Sequence, residues 1–224
     1  MAKKPPAAGR GMATRLRTAE GRSTASQRWL TRQLNDPYVR AAKAQGFRSR
    51  AAFKLLEIDA KLKLLKPGMR VVDLGAAPGG WTQVAVAAVE ERGEVVAIDI
   101  LPMDPVAGAT VLQGDFTEDE AEVRVTAAMG GKADLVLSDM APNTTGHQAT
   151  DHLRIMALAE IALDFATRVL APKGAFVAKV LQGGTEAEML AVLKRDFAVV
   201  RHVKPPASRK DSAEMYVVAT GFRR

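Results

Sequence analysis

Short apolar runs alternate with segments of helical spacing through most of this chain, which predicts alternating strands and helices. The runs are rich in Val, Ile, Leu and Ala. Helices between most of them make the connections long enough for parallel pairing. The pattern therefore predicts an α/β fold with a mostly parallel sheet and helices on both faces. The five predicted strands span residues 69–74, 95–100, 110–113, 135–138 and 175–180.

The last third of the chain changes this rhythm. The longest predicted helix covers residues 151–170 and stops just before Pro172 and Gly174, as helix ends commonly do. Two further β-rich runs, residues 198–203 and 215–220, follow with no helix between them. We therefore expect them to form an antiparallel pair at one edge of the sheet.

The first quarter of the chain differs from the rest. Residues 1–26 are rich in Lys, Arg, Ala, Pro, Gly, Ser and Thr, with few large apolar side chains. Such a segment buries too little apolar surface to offset the entropy of folding, which predicts a disordered basic arm. Residues 28–61 regain helical spacing. We therefore expect an arm over residues 1–26 and one domain over residues 27–224.

The positive charge of the chain is concentrated at its start. Residues 1–54 hold thirteen Lys and Arg against two acids, a net charge of +11, which leaves −4 for the remainder. A basic segment of this density suits a polyphosphate, because each cation that neutralises a phosphate releases counterions. A solubilising tail and a membrane-surface anchor are the alternatives. Nucleic acid is favoured because no amphipathic apolar face accompanies the basic residues.

Composition excludes several classes of protein. The 224 residues are 47% hydrophobic, enough for one buried α/β core. There is no cysteine and there are only three histidines, which excludes disulfides and thiolate metal sites, so we expect no metal. No apolar run approaches the ~20 residues that span a bilayer, and the basic start lacks a signal peptide's apolar segment. We expect a soluble cytoplasmic protein with no membrane partner.

A Gly-rich turn follows the first predicted strand and opens a helix, which is typical of a nucleotide site. Residues 71–81 read VVDLGAAPGGW. They lack the G-x-G-x-x-G spacing of a dinucleotide site, and Pro78 stiffens the stretch that would wrap a pyrophosphate. S-adenosylmethionine (SAM) is the better candidate cofactor. A purely structural turn is the alternative, because any αL turn between strand and helix uses glycines.

Acidic residues recur where the predicted strands end. Asp99 ends the second strand, Asp115 follows the third and Asp139 follows the fourth. Ligands of such sheets bind at these ends, and Asp99 comes 19 residues after Gly80, an offset suited to binding ribose hydroxyls. Asp115 is a candidate for binding the adenine amino group, with Phe116 beside the ring. One such aspartate would be an ordinary turn residue, whereas three favour a nucleoside site.

Three further charged residues stand out by their surroundings. Lys179 lies among apolar neighbours inside the fifth strand, where it either points to solvent at an edge or uses its amine in a site. The helices expected over this strand favour a site. Glu214 beside the last strand and Lys54 on the early helix are each, taken alone, better explained as solvated surface charges.

Six longer motifs resemble those of the FtsJ/RrmJ (RlmE) family of ribosomal RNA ribose 2′-O-methyltransferases. The resemblance extends over residues 26–222. The chain departs from the family pattern in Ala52, where relatives often carry a larger aromatic residue, and in a longer arm. The motifs occupy residues 48–55, 71–81, 101–105, 113–116, 138–143 and 214–221.

The resemblance implies a Rossmann-like SAM-dependent methyltransferase fold with a seven-stranded, mostly parallel sheet and an antiparallel edge strand. All four residue types of the family's Lys-Asp-Lys-Glu tetrad are present. By the motifs, the tetrad is Lys54, Asp139, Lys179 and Glu214. The implied SAM-binding residues are Gly79, Trp81, Asp99, Asp115 and Asp139.

The role of Lys179 has two interpretations. In the first, it is the base that removes the proton of the ribose hydroxyl, helped by burial and by a second cation, Lys54, which both favour a neutral amine. In the second, it stays cationic and stabilises the developing alkoxide. Asp139 would orient Lys179 in either scheme, and Glu214 would position Lys54 or the ribose.

The resemblance implies a substrate as well. It points to 2′-O-methylation of a uridine in the A-loop of 23S-type large-subunit ribosomal RNA, in the assembled or nearly assembled large subunit. A tRNA ribose methyltransferase and a ribosome-assembly factor that binds SAM and RNA without turnover are the alternatives. The missing dinucleotide fingerprint disfavours an oxidoreductase. We expect a monomer.

Overall fold

A computed structural model describes residues 23–142, 145–182 and 187–224. Helix α1 begins at Thr24, where Oγ of Ser23 accepts a hydrogen bond from the main-chain N–H of Ser26. Residues 1–22 of the expected arm lie outside the described residues, so that part stays a prediction, whereas residues 23–26, also expected in the arm, form the cap and first turn of α1. The first three helices are α1 (Thr24–Asn35), α2 (Pro37–Ala44) and α3 (Ala51–Leu62).

The helical spacing predicted over residues 28–61 is divided between these helices for a local reason. Asp36 has an extended backbone with ψ of 118°, because the residue before a proline is disfavoured in the helical region. Its Oδ1 accepts a hydrogen bond from the main-chain N–H of Tyr38 at 2.9 Å, and Pro37 opens α2. The chain therefore turns sharply between α1 and α2.

Seven strands form a single sheet: β1 (Arg70–Leu74), β2 (Glu94–Asp99), β3 (Thr110–Gln113), β4 (Ala133–Ser138), β5 (Leu170–Leu181), β6 (Phe197–Val203) and β7 (Glu214–Phe222). Their order is β3-β2-β1-β4-β5-β7-β6. β1 to β5 run parallel, and β7 runs antiparallel to both β5 and β6. The strand order reverses between β1 and β4, where sheets of this kind bind ligands beyond their carboxyl ends.

Helices cover both faces of the sheet. The remaining helices are α4 (Gly80–Val89), α5 (Asp119–Met129), α6 (Gln148–Val169) and α7 (Ala187–Asp196). Val72 and Leu74 of β1 belong to a core shared with α5, α6 and α7, whereas Val71 belongs to a core shared with α3 and α4. Alternate side chains of the central strands are thus buried on opposite faces.

The predicted fold is confirmed. Each predicted strand is present, and the strand at residues 110–113 has the predicted bounds. The expected antiparallel pair is β6 and β7, with β6 at the edge and β7 one place inside it. The crossover from β5 through α7 places β6 two positions from β5, and β7 fills the gap. Among the described residues, no helix is long and apolar enough to cross a membrane.

Candidate active site

The turn after β1 and the segment after β4 approach each other closely. The main-chain N–H of Asp139 donates to the carbonyl oxygen of Leu74 at 3.2 Å. Gly75 has a φ of +73°, and a Cβ atom there would lie 2.6 Å from Cγ of Met140. Any side chain at position 75 would therefore be strained and would clash. The glycine allows Asp139 to lie directly beside the Gly-rich turn.

The structure brings the four tetrad residues together. Nζ of Lys179 lies 2.8 Å from Oδ1 of Asp139 and 2.7 Å from the main-chain oxygen of the same residue. Nζ of Lys54 lies 2.7 Å from Oε2 of Glu214 and 3.9 Å from Oδ2 of Asp139. The carboxylate of Asp139 is therefore located between two ammonium groups.

Strand pairing explains this convergence. Ser138, the last residue of β4, pairs with Ala178 of β5, so Asp139 follows beside Lys179. Across the antiparallel pair, Leu181 lies opposite Glu214, which places Glu214 and Lys179 on the same face of the sheet. That face packs against α3 and α4, so Lys54 reaches the cluster from α3.

Both lysines of the tetrad are nearly buried. Lys54 is 8% exposed and Lys179 is 9% exposed. A buried ammonium is costly unless it is paired and hydrogen-bonded, and each of these has a carboxylate partner. Lys54 and Glu214 are therefore not solvated surface charges, although each, taken alone, was best explained that way.

The charges around Asp139 favour its ionised form. Burial acts to raise the pKa of this carboxyl, but the ammonium groups of Lys179 and Lys54 hold it below its usual value. Hydrogen bonds from Lys179 and Tyr216 lower the pKa further. Asp139 is therefore a carboxylate at neutral pH.

Two residues that the sequence did not single out complete the cluster. The hydroxyl of Tyr216 donates to Oδ1 of Asp139 at 2.7 Å, and Oγ of Ser208 donates to Oε1 of Glu214 at 2.7 Å. Tyr216 is two positions after Glu214 on a predicted strand, and residues two apart on a strand share one face of the sheet, so its place beside Glu214 could have been inferred. Ser208 belongs to the connection between β6 and β7, whose path no local pattern predicted.

A cavity of about 580 Å³ opens at the carboxyl ends of the parallel strands. Its volume is within the range of small-molecule sites. The predicted residues Asp99, Asp115, Asp139 and Lys179 line it. Apolar walls separate these polar groups; they comprise Ile98, Ile100, Leu101, Phe116, Met140 and Leu158.

The two outer carboxylates of this cavity are held by hydrogen bonds. Oδ2 of Asp99 accepts from the main-chain N–H of Ala77 at 2.9 Å, and Oδ1 accepts from that of Leu101 at 2.8 Å. Oδ1 of Asp115 accepts from both the N–H and the hydroxyl of Thr117, which lowers the pKa of Asp115. Oriented carboxylates of this kind suit hydroxyl and amino groups.

Gly79 and Trp81 are not among the residues that line this cavity. Gly79 precedes α4 with a φ of +104°, and a Cβ atom there would lie 3.1 Å from Nη1 of Arg48. Trp81 is 2% exposed, its Nε1 donates to the main-chain oxygen of Ala51 at 2.8 Å, and its ring lies 5.4 Å from that of Tyr216. Both residues therefore support the Gly-rich turn without lining the cavity.

A second cavity, of about 390 Å³, lies on the other side of the tetrad. Lys54 and Glu214 line it, whereas Asp139 and Lys179 line the first cavity. The tetrad is therefore a wall shared by two cavities. The second cavity is also lined by basic residues, namely Arg32, Arg50 and Arg209.

Some basic residues near α3 form hydrogen bonds and ion pairs with other parts of the protein. The guanidinium of Arg48 donates to three main-chain oxygens, which ties the Gly-rich turn to the segment after β2. Arg50 donates to the main-chain oxygen of Ala207 at 2.5 Å and pairs with Asp36 at 3.1 Å. The charge of the first 54 residues is thus not all free for a polyphosphate.

A buried carboxyl lies beneath the Gly-rich turn. Asp73 is 0% exposed, and the hydroxyl of Thr82 donates to its Oδ2 at 2.7 Å. Burial raises the pKa of Asp73 to about 7, with Asp139 and Asp99 adding to the effect against the hydrogen bond from Thr82. The sequence showed Asp73 as part of the turn motif but not its burial.

The described part of the chain contains no group of three or more His, Asp or Glu side chains that could hold a metal ion. The tetrad and its neighbours Tyr216 and Trp81 form a site of lysines, carboxylates and an aromatic pair beside two cavities.

The parallel sheet, the Gly-rich turn after β1 and the lysine–carboxylate cluster beyond β4 define a Rossmann-like methyltransferase. The model of the FtsJ-like methyltransferase family matches residues 47–222. This chain belongs to that family.

Curated relatives and a solved structure agree with this family. The ribosomal RNA large subunit methyltransferase E of Granulibacter bethesdensis is 65% identical over 221 residues, which cover 98% of this chain and 94% of the relative. The protein of that name from Azorhizobium caulinodans is 63% identical, covering 96% and 90%. A crystal structure of a ribosomal RNA methyltransferase from Plasmodium falciparum is 29% identical with a TM-score of 0.68, covering 79% of this chain and 98% of that one.

Proposed function

We propose that this methyltransferase transfers a methyl group from SAM to the ribose 2′-hydroxyl of a uridine in large-subunit ribosomal RNA. The observation that carries the proposal is the tetrad wall between two cavities. A methyl transfer needs the acceptor oxygen in line with the methyl group and about 3–3.5 Å from its carbon, so the donor and acceptor sites must meet beside one set of positioning groups. The first cavity is then the donor side and the second is the acceptor side.

The residues of the first cavity fit SAM. The oriented carboxylate of Asp99 suits the ribose hydroxyls, and Asp115 suits the adenine amino group between the apolar walls of Leu101 and Phe116. SAM bound here would supply an electrophilic methyl group. We assign cofactor binding to Gly79, Trp81, Asp99, Asp115 and Asp139, with Gly79 and Trp81 acting through the shape of the turn.

We assign Lys179 the role of accepting the proton of the acceptor hydroxyl or of stabilising the charge that develops on its oxygen. Asp139 accepts hydrogen bonds from Lys179 at two oxygens, and an ammonium has three N–H groups. The third position of Nζ, an N–H in the cation or the lone pair in the neutral amine, is therefore left for the acceptor hydroxyl. Lys179 either accepts the hydroxyl proton as a neutral amine or stabilises the alkoxide as a cation, and Asp139 fixes its position in both schemes.

The second cavity supports an RNA acceptor. Arg32 adds a cationic group to the side of the tetrad that Lys54 and Glu214 face, and Arg209 adds a second one that is 3.5 Å from Oδ2 of Asp36. Such groups neutralise phosphates and position a backbone without reading its sequence. A single-stranded or flipped nucleotide would present its 2′-hydroxyl to the tetrad, and that hydroxyl distinguishes RNA from DNA.

The substrate proposal rests on the relatives. Their name, ribosomal RNA large subunit methyltransferase E, supports large-subunit ribosomal RNA over tRNA. By family resemblance the target is the A-loop uridine in the assembled or nearly assembled large subunit. Two buried lysines that converge on Asp139 argue against a binding factor without turnover. We further propose that the protein acts as a monomer in the cytoplasm.

The test is transfer of labelled methyl from SAM to three acceptors that lack prior methylation: large subunits, protein-free ribosomal RNA and tRNA. We expect label on the large subunit at one ribose. Label on tRNA alone would overturn the substrate proposal. SAM binding without label on any acceptor would favour the assembly factor.

Lys179→Ala is the loss-of-function variant in this assay, and Lys194→Ala is its matched control, because Lys194 is an exposed lysine on α7. We expect label to be lost in the first variant and kept in the second. Equal label in both variants would remove Lys179 from the mechanism.

A further inference from the structure

We propose that Tyr216 is a positioning residue of the transfer reaction, acting through Asp139 and Lys54 without touching cofactor or RNA. The inference rests on the proposed function and extends it to a residue outside the tetrad. Tyr216 is 0% exposed, and it is not one of the described residues that line the two cavities of the site. Its effect must therefore pass through its neighbours.

The hydroxyl of Tyr216 controls the orientation of Asp139. It donates to Oδ1 at 2.7 Å, and Nζ of Lys179 lies 2.8 Å from the same oxygen. With two donors on Oδ1, rotation of the carboxylate is restricted and Oδ2 stays on the side of Lys54, 3.9 Å from Nζ. Without the hydroxyl, Asp139 would keep its charge but lose one of the contacts that orient it.

The ring of Tyr216 supports the second lysine. Nζ of Lys54 lies 5.7 Å from the ring centroid, within the range of a cation–π contact. The ring also lies 5.4 Å from that of Trp81, whose Nε1 donates to the main-chain oxygen of Ala51 at the start of the helix that carries Lys54. The ring thus joins the Gly-rich turn to the tetrad.

The pairing of β5 and β7 makes this arrangement rigid. Tyr216 lies directly opposite Lys179 in the ladder, so the two side chains project on one face from fixed backbone positions. The hydroxyl lies near two carboxylates of the tetrad, Asp139 and Glu214, and it donates to Asp139 at 2.7 Å. The hydrogen bond to Asp139 is therefore built into the sheet.

Tyr216→Phe tests the hydroxyl alone, since the ring and its contacts with Trp81 and Lys54 stay. Tyr38→Phe is the matched control: its hydroxyl also donates to a carboxylate, that of Glu57, at 3.0 Å. We expect Tyr216→Phe to lower kcat about tenfold, equivalent to about 1.4 kcal/mol, with KM for RNA and Kd for SAM within about twofold of wild type. We expect Tyr38→Phe to keep the wild-type kcat.

A wild-type kcat in Tyr216→Phe would overturn the proposal. A lower kcat together with a similarly increased Kd for SAM and a lower Tm would also overturn it, because a residue with only a structural role would give that pattern. If the wild-type enzyme itself transfers no methyl to RNA, the proposed function fails, and the hydrogen bond is then tested by the measurement below.

Carbon-13 labelling of the tyrosine Cζ atoms tests the contact in the unaltered protein. The chain has two tyrosines, and Tyr38→Phe assigns their signals. Burial, with Asp139 and Glu214, raises the pKa of Tyr216 well above its ordinary value, so its signal should be that of a neutral phenol at pH 10, where an exposed tyrosine is half ionised. Asp139→Asn should lower that pKa. Ionisation of Tyr216 near pH 10 in the wild type, or no response to Asp139→Asn, would overturn the contact.

Discussion

Lys179 is held by Asp139 from two directions: its Nζ lies 2.8 Å from Oδ1 and 2.7 Å from the main-chain oxygen. The main-chain contact ties the amine to the end of β4, and the side-chain contact gives it a counter-charge. The amine is thus positioned by the backbone of the sheet as well as by an ion pair. Its location is a property of the fold.

Substitutions at Lys179 distinguish proton transfer to its amine from electrostatic stabilisation by its charge. Lys179→Ala should lower kcat about a hundredfold or more, because it removes both proton transfer and charge. Lys179→Arg keeps a cation that does not deprotonate usefully. Single-turnover rates at saturating SAM and RNA measure both variants, with Lys194→Ala as the control. Activity within about tenfold of wild type in Lys179→Arg would contradict the role of Lys179 as a base and support its role as a stabilising cation.

Asp99→Asn should weaken SAM binding about tenfold or more. The substitution replaces a carboxylate oxygen with an amide N–H₂, which repels a hydroxyl that donates a hydrogen bond. Isothermal titration calorimetry with SAM measures the change, and Asp119→Asn, an exposed aspartate at the start of α5, is the control. An unchanged Kd would place the ribose away from Asp99.

Arg32→Ala should weaken RNA binding without changing SAM binding. Arg32 is exposed and lines the acceptor cavity, so its loss should raise the Kd for RNA and reduce the slope of log K against log salt by about 0.7–0.9. Filter binding at several salt concentrations measures both quantities. Arg92→Ala removes an exposed arginine from the connection between α4 and β2 and should leave the slope unchanged. Equal slopes in the two variants would remove Arg32 from the interface.

Burial of Asp73 makes the stability of the protein depend on pH. Its pKa rises from 3.8 to about 7 in the folded protein, so between these values the folded state binds a proton that the unfolded chain does not. The free energy of unfolding due to this group therefore falls as pH rises from about 4 to 7, by up to about 1.4 kcal/mol per pH unit. The dependence weakens as the pH passes through 7 and ends about one pH unit above it.

Asp73→Asn should remove that slope. Urea unfolding of wild type and variant at pH 5 and pH 7 isolates the contribution of Asp73, because all other ionisable groups are shared. We expect the wild type to lose more stability than the variant over this interval. The same change in both proteins would show that Asp73 is ionised when folded.

The fold was predictable because its strands are short apolar runs separated by helical spacing and turn residues. Asp99, Asp115 and Asp139 were predictable as site residues because parallel strands bring their carboxyl ends to one edge. Lys179 was conspicuous because a lysine between apolar neighbours in a covered strand needs a reason. These inferences use local pattern and topology alone.

Other features depend on long-range packing and were not predictable. The contact of Tyr216 with Asp139 needs β7 beside β5, and the contact of Ser208 with Glu214 needs the path of a connection. The internal use of Arg48 and Arg50 reverses what their charge suggested, because main-chain oxygens 30 or more residues away accept their hydrogen bonds. The second cavity exists only where α1, α3 and the connection between β6 and β7 meet, because residues of all three line it.

Analysis of the nucleosides made by the enzyme tests the central claim most directly. Unmethylated large subunits are incubated with SAM and wild type, Lys179→Ala or Lys194→Ala, and the digested RNA is examined by mass spectrometry. The account predicts 2′-O-methyluridine at a single position with wild type and Lys194→Ala, and none with Lys179→Ala. Methyl groups on a base, or equal 2′-O-methyluridine with Lys179→Ala, would contradict it.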